Sequence, residues 1–310
     1  MRYYFAPMEG ITDSIYRRLH HKYFGGVDRY YMPFLSPTIH RCLTHKEDRD
    51  LPIADSVAFR AVPQILTKIA EDFLWAAQVC ADRGYDEVNL NVGCPSGTVV
   101  SKGKGSGMLR ELNALDAFLE EIFSKSPLPI TVKTRLGLED SAEFPEILTV
   151  FNRYPIGELT VHPRVRKQFY DGNVDMDMFR YAYENSTNPI CYNGDLHSIS
   201  DISKLSQDFP NLQSVMIGRG LVADPGMLCG GTKADTLHQF HRELLQRYTL
   251  AFGSARNAMF RLKENWHYLY SRFEDSDKLW KRLRKTTDLT EFIAISDEIF
   301  TTLTLKNCEP

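Results

Sequence analysis

Eight short runs rich in β-branched, aromatic and aliphatic residues punctuate the first 220 residues of the chain, at 3–6, 29–32, 62–66, 87–91, 130–134, 158–161, 189–192 and 214–217. Between them lie stretches with apolar residues at helical spacing, most clearly at 69–83, 112–123, 144–154 and 199–209. A strand followed by a crossover helix brings the next strand in parallel. Eight such units close a TIM (β/α)8 barrel. A doubly wound sheet uses the same units, but the placement of the unusual residues favours the barrel.

Those residues cluster directly after the strands. Pro7-Met8-Glu9-Gly10 follows the first run, Gln64 lies in the third, and Asn91-Val92-Gly93-Cys94-Pro95 follows the fourth. Lys133 and Arg135 end the fifth, His162-Pro163-Arg164 follows the sixth, Asn193-Gly194-Asp195 the seventh, and Gly218-Arg219-Gly220 the eighth. In a barrel all C-terminal strand ends meet at one face, where active sites sit. After Gly231 the strand pattern stops, and residues 233–252, 254–273, 276–286 and 289–303 read as helices, with Asp288 and Glu291 spaced as an N-terminal cap. The expected organisation is a catalytic barrel over 1–232 followed by a small α-helical domain over 233–310.

Composition narrows the class further. At 310 residues, 43% hydrophobic and 25% charged, the chain has the proportions of a globular protein. No apolar run approaches the roughly 20 residues that span a bilayer, and the N-terminus lacks a secretory pattern, so a cytoplasmic, membrane-free protein is expected. Cys42, Cys80, Cys94, Cys191, Cys229 and Cys308 are scattered without a Cys-x-x-Cys pair, which argues against a disulfide framework or a metal site. The formal net charge of −3 gives no global attraction to a polyanion, so any such partner needs a local patch. The absence of a long coiled coil makes a monomer the simplest expectation.

Several strand-end residues carry chemistry. Backbone N–H groups at Gly194, Asp195, Gly218 and Arg219 can converge on a phosphate in the position barrels commonly use, although glycine also serves ordinary turns there. Lys133 can stabilise a delocalised anion such as the N1–O2 edge of a reduced flavin, or form a rim ion pair. Gln64 can read an imide edge or sit as a satisfied buried amide. Cys94 opens the polar, glycine-rich stretch 96–107, which resembles a mobile active-site loop, and its thiol can act as nucleophile or proton donor. Cys80 and Cys191 sit in apolar patterns and read as buried thiols. His162 precedes a basic–aromatic group of Arg164, Arg166, Lys167 and Tyr170. A second group, including Arg261, Lys263 and Arg284, occupies the helical tail and suits a phosphodiester backbone.

Taken together, the strings Ala6-Pro7-Met8-Glu9-Gly10-Ile11-Thr12-Asp13, Asn89-Leu90-Asn91-Val92-Gly93-Cys94-Pro95, Lys133-Thr134-Arg135, His162-Pro163-Arg164, Asn193-Gly194-Asp195 and Gly218-Arg219-Gly220 resemble the tRNA-dihydrouridine synthase family, in family order from residue 6 to 220. The resemblance implies an FMN enzyme that takes electrons from NADPH and reduces a uridine of the tRNA D-loop. It implies that Pro7, Met8 and Gln64, with Glu9 beside them, hold the flavin ring. Lys133 and His162 then meet its polar edge or ribityl chain, and Asn193, Gly194, Asp195, Gly218 and Arg219 surround its phosphate. By the same resemblance Asn91 orients the uracil and Cys94 is the general acid. Arg135, Arg164, Tyr170, Arg261, Lys263 and Arg284 are the expected tRNA contacts. The chain departs from the family pattern at Ser96-Gly97-Thr98, where a lysine often follows Cys-Pro, and at Leu221, where a small residue is common.

Two other readings compete. An FMN barrel reductase of a small molecule, of the dihydroorotate or enone-reducing kind, shares the phosphate turns and Lys133 but has no need of a basic tail. A barrel that binds RNA without catalysis needs no cofactor at all.

Overall fold

A computed structural model of the chain describes residues 1–306, so Cys308 and the end of the expected helical domain lie outside the described residues. The chain divides into two compact units. The first comprises Met1–Pro7, Arg29–Gly194 and Asn211–Met216; the second comprises Met8–Asp28, Asp195–Pro210 and the chain from Ile217 onward.

The first unit is built on a parallel sheet. Its strands are β1 (Arg2–Phe5), β2 (Arg29–Tyr31), β3 (Ala61–Val62), β4 (Gln64–Ile65), β5 (Val88–Val92), β6 (Ile130–Arg135), β7 (Leu159–His162), β8 (Ile190–Tyr192) and β9 (Ser214–Ile217). They are hydrogen-bonded in the order β3-β2-β1-β9-β8-β7-β6-β5-β4. The two ends of that order, β3 and β4, are separated by Pro63 alone. Proline has no N–H to give to a ladder, so the segment splits: Tyr31 pairs with Val62 on one side, and Gln64 pairs with Asn89 on the other. One interrupted strand thus serves both edges, and the sheet is a nearly closed barrel with the eight strand positions expected.

Burial on both faces explains why most strands read as continuous apolar runs. Tyr4, Tyr31, Val62, Cys191 and Met216 fill part of the interior. Buried carboxylates at the N-terminal strand ends take internal partners. Glu158 accepts from Tyr4 Oη (3.1 Å), Ser214 Oγ (3.0 Å) and Arg2 Nη2 (3.2 Å), while Glu87 pairs with Arg29 and Arg60. These pairings are the form in which charge survives burial. The helix Ala70–Asp82 buries Phe73, Ala76, Ala77 and Cys80, and Leu112–Lys125 buries Leu115, Phe118, Leu119 and Ile122. Burial pushes the Cys80 thiol up to about 12, consistent with an inert core residue.

The second unit is helical. Its later elements are Ala234–Phe252, Ala255–Leu269, Asp277–Lys285 and Leu289–Thr302. Gly253, at φ +60, ends the first of these, and Ser254 caps the next by accepting from Asn257 N. Asp288 caps the last by accepting from Glu291 N at 2.8 Å, as its spacing implies. The core is aromatic: Trp266 Nε1 donates to His241 Nε2 at 2.7 Å, beside Phe273 and Phe300. Burial holds His241 well below the usual histidine range, at about 3, so it stays neutral and able to accept. Among the described residues no helix is long and apolar enough to cross a membrane.

Candidate active site

In the first unit, the chemistry gathers where β4 to β8 end. Asn91, only 7% exposed, accepts from Gly93 N (3.0 Å) and Cys94 N (2.9 Å) through Oδ1. Its Nδ2 donates to Gln64 Oε1 at 2.7 Å, Gln64 Nε2 donates to Asn89 Oδ1 at 2.7 Å, and Asn89 Nδ2 reaches Thr131 Oγ1 at 3.0 Å. A line of amides therefore crosses three strands and ends by fixing the N–H side of Cys94. Gln64 and Asn91 each retain one amide hydrogen for a ligand.

Cys94 is held from its other side as well. Its carbonyl accepts from both Ser106 N (3.1 Å) and Ser106 Oγ (2.9 Å). This requires the 96–107 stretch to fold back, through a helical turn at Gly97–Val100 and a 3-10 turn at Gly105–Arg110. Gly105, at φ +57, makes the fold-back possible, since a Cβ there would lie 2.9 Å from both Cys94 Cβ and Cys94 O. Residues Gly105–Leu109 are buried, so part of a stretch whose polarity suggested a loop is packed structure. Ser106 was not visible from the sequence. Its only signal is the Gly-Ser-Gly setting.

Lys133, on the strand beside Asn91, stands apart from every carboxylate: no hydrogen bond or ion pair reaches it among the described residues. It is half-buried by surface area, yet protein surrounds it closely enough that desolvation, and then the Arg135 charge, brings its pKa from 10.5 to about 7. A rim ion pair is thereby removed as the explanation of this lysine. An unpartnered ammonium at a barrel mouth fits an anionic group supplied from outside, such as the polar edge of a flavin.

Arg135 braces the same loop. Its Nε donates to Gly93 O (3.0 Å), its Nη1 to Val165 O (3.2 Å), and its guanidinium lies 5.4 Å from the Tyr170 ring centroid. Burial lowers its pKa to about 10, which leaves it charged at neutral pH. Arg164, 1% exposed, donates to His162 Nε2 (3.2 Å) and Gly172 O (2.5 Å). A guanidinium has no acceptor, so Nε2 of His162 must be unprotonated and Nδ1 carries the hydrogen. Asn193 Nδ2 donates to Met216 O at 2.7 Å, and a Cβ on Gly194 would meet Tyr192 Oη at 2.9 Å.

The remaining expected residues belong to the second unit, except Pro7, which ends the first segment of the first unit. Met8 opens a turn: its N donates to Thr12 Oγ1 and its carbonyl accepts from Ile11 and Thr12, while Glu9 is exposed. Arg219 forms an ion pair with Asp195 at 2.5 Å. Gly220 is required by packing, because a Cβ there would sit 2.1 Å from Leu196 O. Arg261 Nη1 donates to Gly10 O, and Lys263 Nζ donates to Thr286 O and to Arg284 O (3.3 Å), capping the C-terminal end of helix Asp277–Lys285. Arg284, Lys281 and Lys285 are exposed on that helix.

Fold and site define the class: a parallel β/α barrel with its reactive side chains at the C-terminal ends of the strands. The model of the dihydrouridine synthase (Dus) family matches residues 4–296, and the chain belongs to that family. It is 30% identical over 227 residues to the tRNA-dihydrouridine synthase B of Pasteurella multocida (strain Pm70), covering 72% of this chain and 67% of that protein. It is 29% identical over 256 residues to the probable tRNA-dihydrouridine synthase of Rhizobium leguminosarum bv. phaseoli, covering 78% of each. Among solved structures, morphinone reductase superposes with a TM-score of 0.51 at 11% identity, over 73% of this chain and 84% of that one, a likeness of fold.

Proposed function

We propose that the protein is an FMN-dependent, NADPH-consuming tRNA-dihydrouridine synthase that reduces the C5=C6 bond of a D-loop uridine. The observation that carries this reading is the unpartnered Lys133 ammonium on the strand next to a thiol whose backbone is fixed on both sides. FMN, when bound and reduced by NADPH, supplies the hydride for C6, the electrophilic end of the conjugated enone. Gln64 and Asn91 offer their remaining amide hydrogens to ring carbonyls, and Lys133 neutralises anionic charge at the mouth. His162 meets the flavin's polar edge or ribityl chain, and Pro7, Met8 and Glu9 line the ring position. Asn193, Gly194, Asp195, Gly218 and Arg219 hold the phosphate, Asp195 through its N–H because its carboxylate is engaged by Arg219. Cys94 delivers the proton to C5 as a general acid.

The uridine must be flipped out of folded tRNA to reach such a mouth. Tyr170 and Arg284, both exposed, meet the RNA directly in this reading. Arg135, Arg164, Arg261 and Lys263 act through the backbone carbonyls and ring they hold. The reading also assigns the protein to the cytoplasm, with its tRNA. It is tested by purifying the protein, recording the flavin spectrum and incubating it with NADPH and unmodified tRNA transcript. A yellow protein that forms dihydrouridine agrees with it. A yellow protein that oxidises NADPH with an enone or orotate-like acceptor but leaves tRNA untouched favours the small-molecule reductase instead.

A further inference from the structure

The turn that follows β7 has a feature that the reduction chemistry does not use. Phe169 has φ +50 and ψ −98, a left-handed conformation that is an outlier for a bulky aromatic residue. Phe169 is nevertheless 40% exposed and Tyr170 53% exposed, so two adjacent rings are left facing solvent. Each ring has a guanidinium against it. Arg166 lies 5.4 Å from the Phe169 centroid and Arg135 lies 5.4 Å from the Tyr170 centroid. Lys167 adds a cation whose ion pair with Glu139 is loose, at 3.9 Å between exposed groups. The turn is also tied to the chemistry. Arg135 bonds the carbonyl that precedes Cys94, and the Tyr170 ring is 6.1 Å from that of His162.

We propose that the Phe169–Tyr170 turn is a stacking platform for an unpaired nucleobase next to the nucleotide being reduced; the proposal rests on the tRNA reading above. Aromatic faces stack on any base, and Arg166 and Lys167 attract the phosphodiester that connects it to the target, while the buried Arg135 holds the Tyr170 ring in place. Flipping one nucleotide out of a folded RNA deprives its neighbours of a stacking partner, which an exposed ring replaces. A substrate the size of a single pyrimidine has no second base to place there.

The test compares Phe169→Gly, Phe169→Leu and Phe169→Trp by tRNA binding and thermal melting. Glycine adopts φ +50 without strain, so Phe169→Gly keeps or raises the melting temperature. It weakens tRNA binding by about tenfold or more, the loss expected for one stacked base. Phe169→Leu, apolar but not aromatic, loses a similar factor, whereas Phe169→Trp retains wild-type affinity. Wild-type affinity in both the Gly and Leu variants overturns the platform. If the wild-type protein forms dihydrouridine in tRNA and these variants bind as it does, the platform falls and the synthase reading stands. If the wild-type protein forms none, the synthase reading falls and the platform falls with it.

Discussion

Two side chains at the barrel mouth make opposite demands on the fold. Lys133 is held with its pKa near 7 by desolvation, so the protein without an anionic ligand carries it at a cost. The native state binds fewer protons at this site than the unfolded chain between about pH 7 and 10.5, and stability therefore rises with pH across that window. Lys133→Met is expected to raise the melting temperature of the flavin-free protein at pH 7, to flatten that rise and to weaken flavin retention. Thermal melts from pH 6 to 10 check the first two effects, and an unchanged slope would mean that Lys133 is not the group responsible. Ser106, in contrast, supports the site. Ser106→Ala removes the Oγ bond to Cys94 O and leaves the backbone bond, a loss of about 1 kcal/mol in orientation. Uridine reduction should slow about fivefold in single-turnover oxidation of the reduced flavin by tRNA. Reduction of the flavin by NADPH should keep its rate. Equal slowing of both half-reactions would point to general loosening rather than to misplacement of Cys94.

At the scale of elements, the strand ends were readable because the alternation of apolar runs with helical spacing fixes where each strand stops. Asn91, Lys133 and His162 each lie where that pattern places them. The run at 62–66 could not announce its division into β3 and β4, because the split depends on Pro63 facing two different neighbours. Nor could the 96–107 stretch reveal that it packs back on Cys94, since the bond from Ser106 joins residues 12 apart through a left-handed glycine. Charge was the least readable property. Arg135, Arg164, Arg261 and Lys263 look alike in sequence, yet each is engaged by a carbonyl or ring that only the fold supplies. Gly220 shows the same dependence: its turn suggested phosphate binding, whereas its closest constraint is Leu196 O. Gly220→Ala should therefore destabilise the protein by about 1–3 kcal/mol through overpacking. Urea unfolding measures this, and a midpoint equal to wild type would show that the helix Arg219–Ala223 shifts freely.

For the whole molecule, a formal charge of −3 leaves RNA affinity to local surfaces. The exposed cations of helix Asp277–Lys285 combine charge with accessibility. Reversing Lys281, Arg284 and Lys285 to Glu should weaken tRNA binding. The slope of log affinity against log salt should also fall, by up to about 0.7–0.9 for each phosphate that is no longer neutralised. A slope equal to wild type would move the RNA surface elsewhere. The central claim, that this barrel mouth reduces uridine in tRNA with Cys94 as acid, is tested most directly by nucleoside mass spectrometry at each D-loop position. The tRNA should come from cells lacking the gene, complemented with wild-type protein or with Cys94→Ala. The account predicts that dihydrouridine disappears at one or more positions, returns with the wild-type protein, and stays largely absent with Cys94→Ala. Dihydrouridine restored in full by Cys94→Ala, or never lost on deletion, would contradict it.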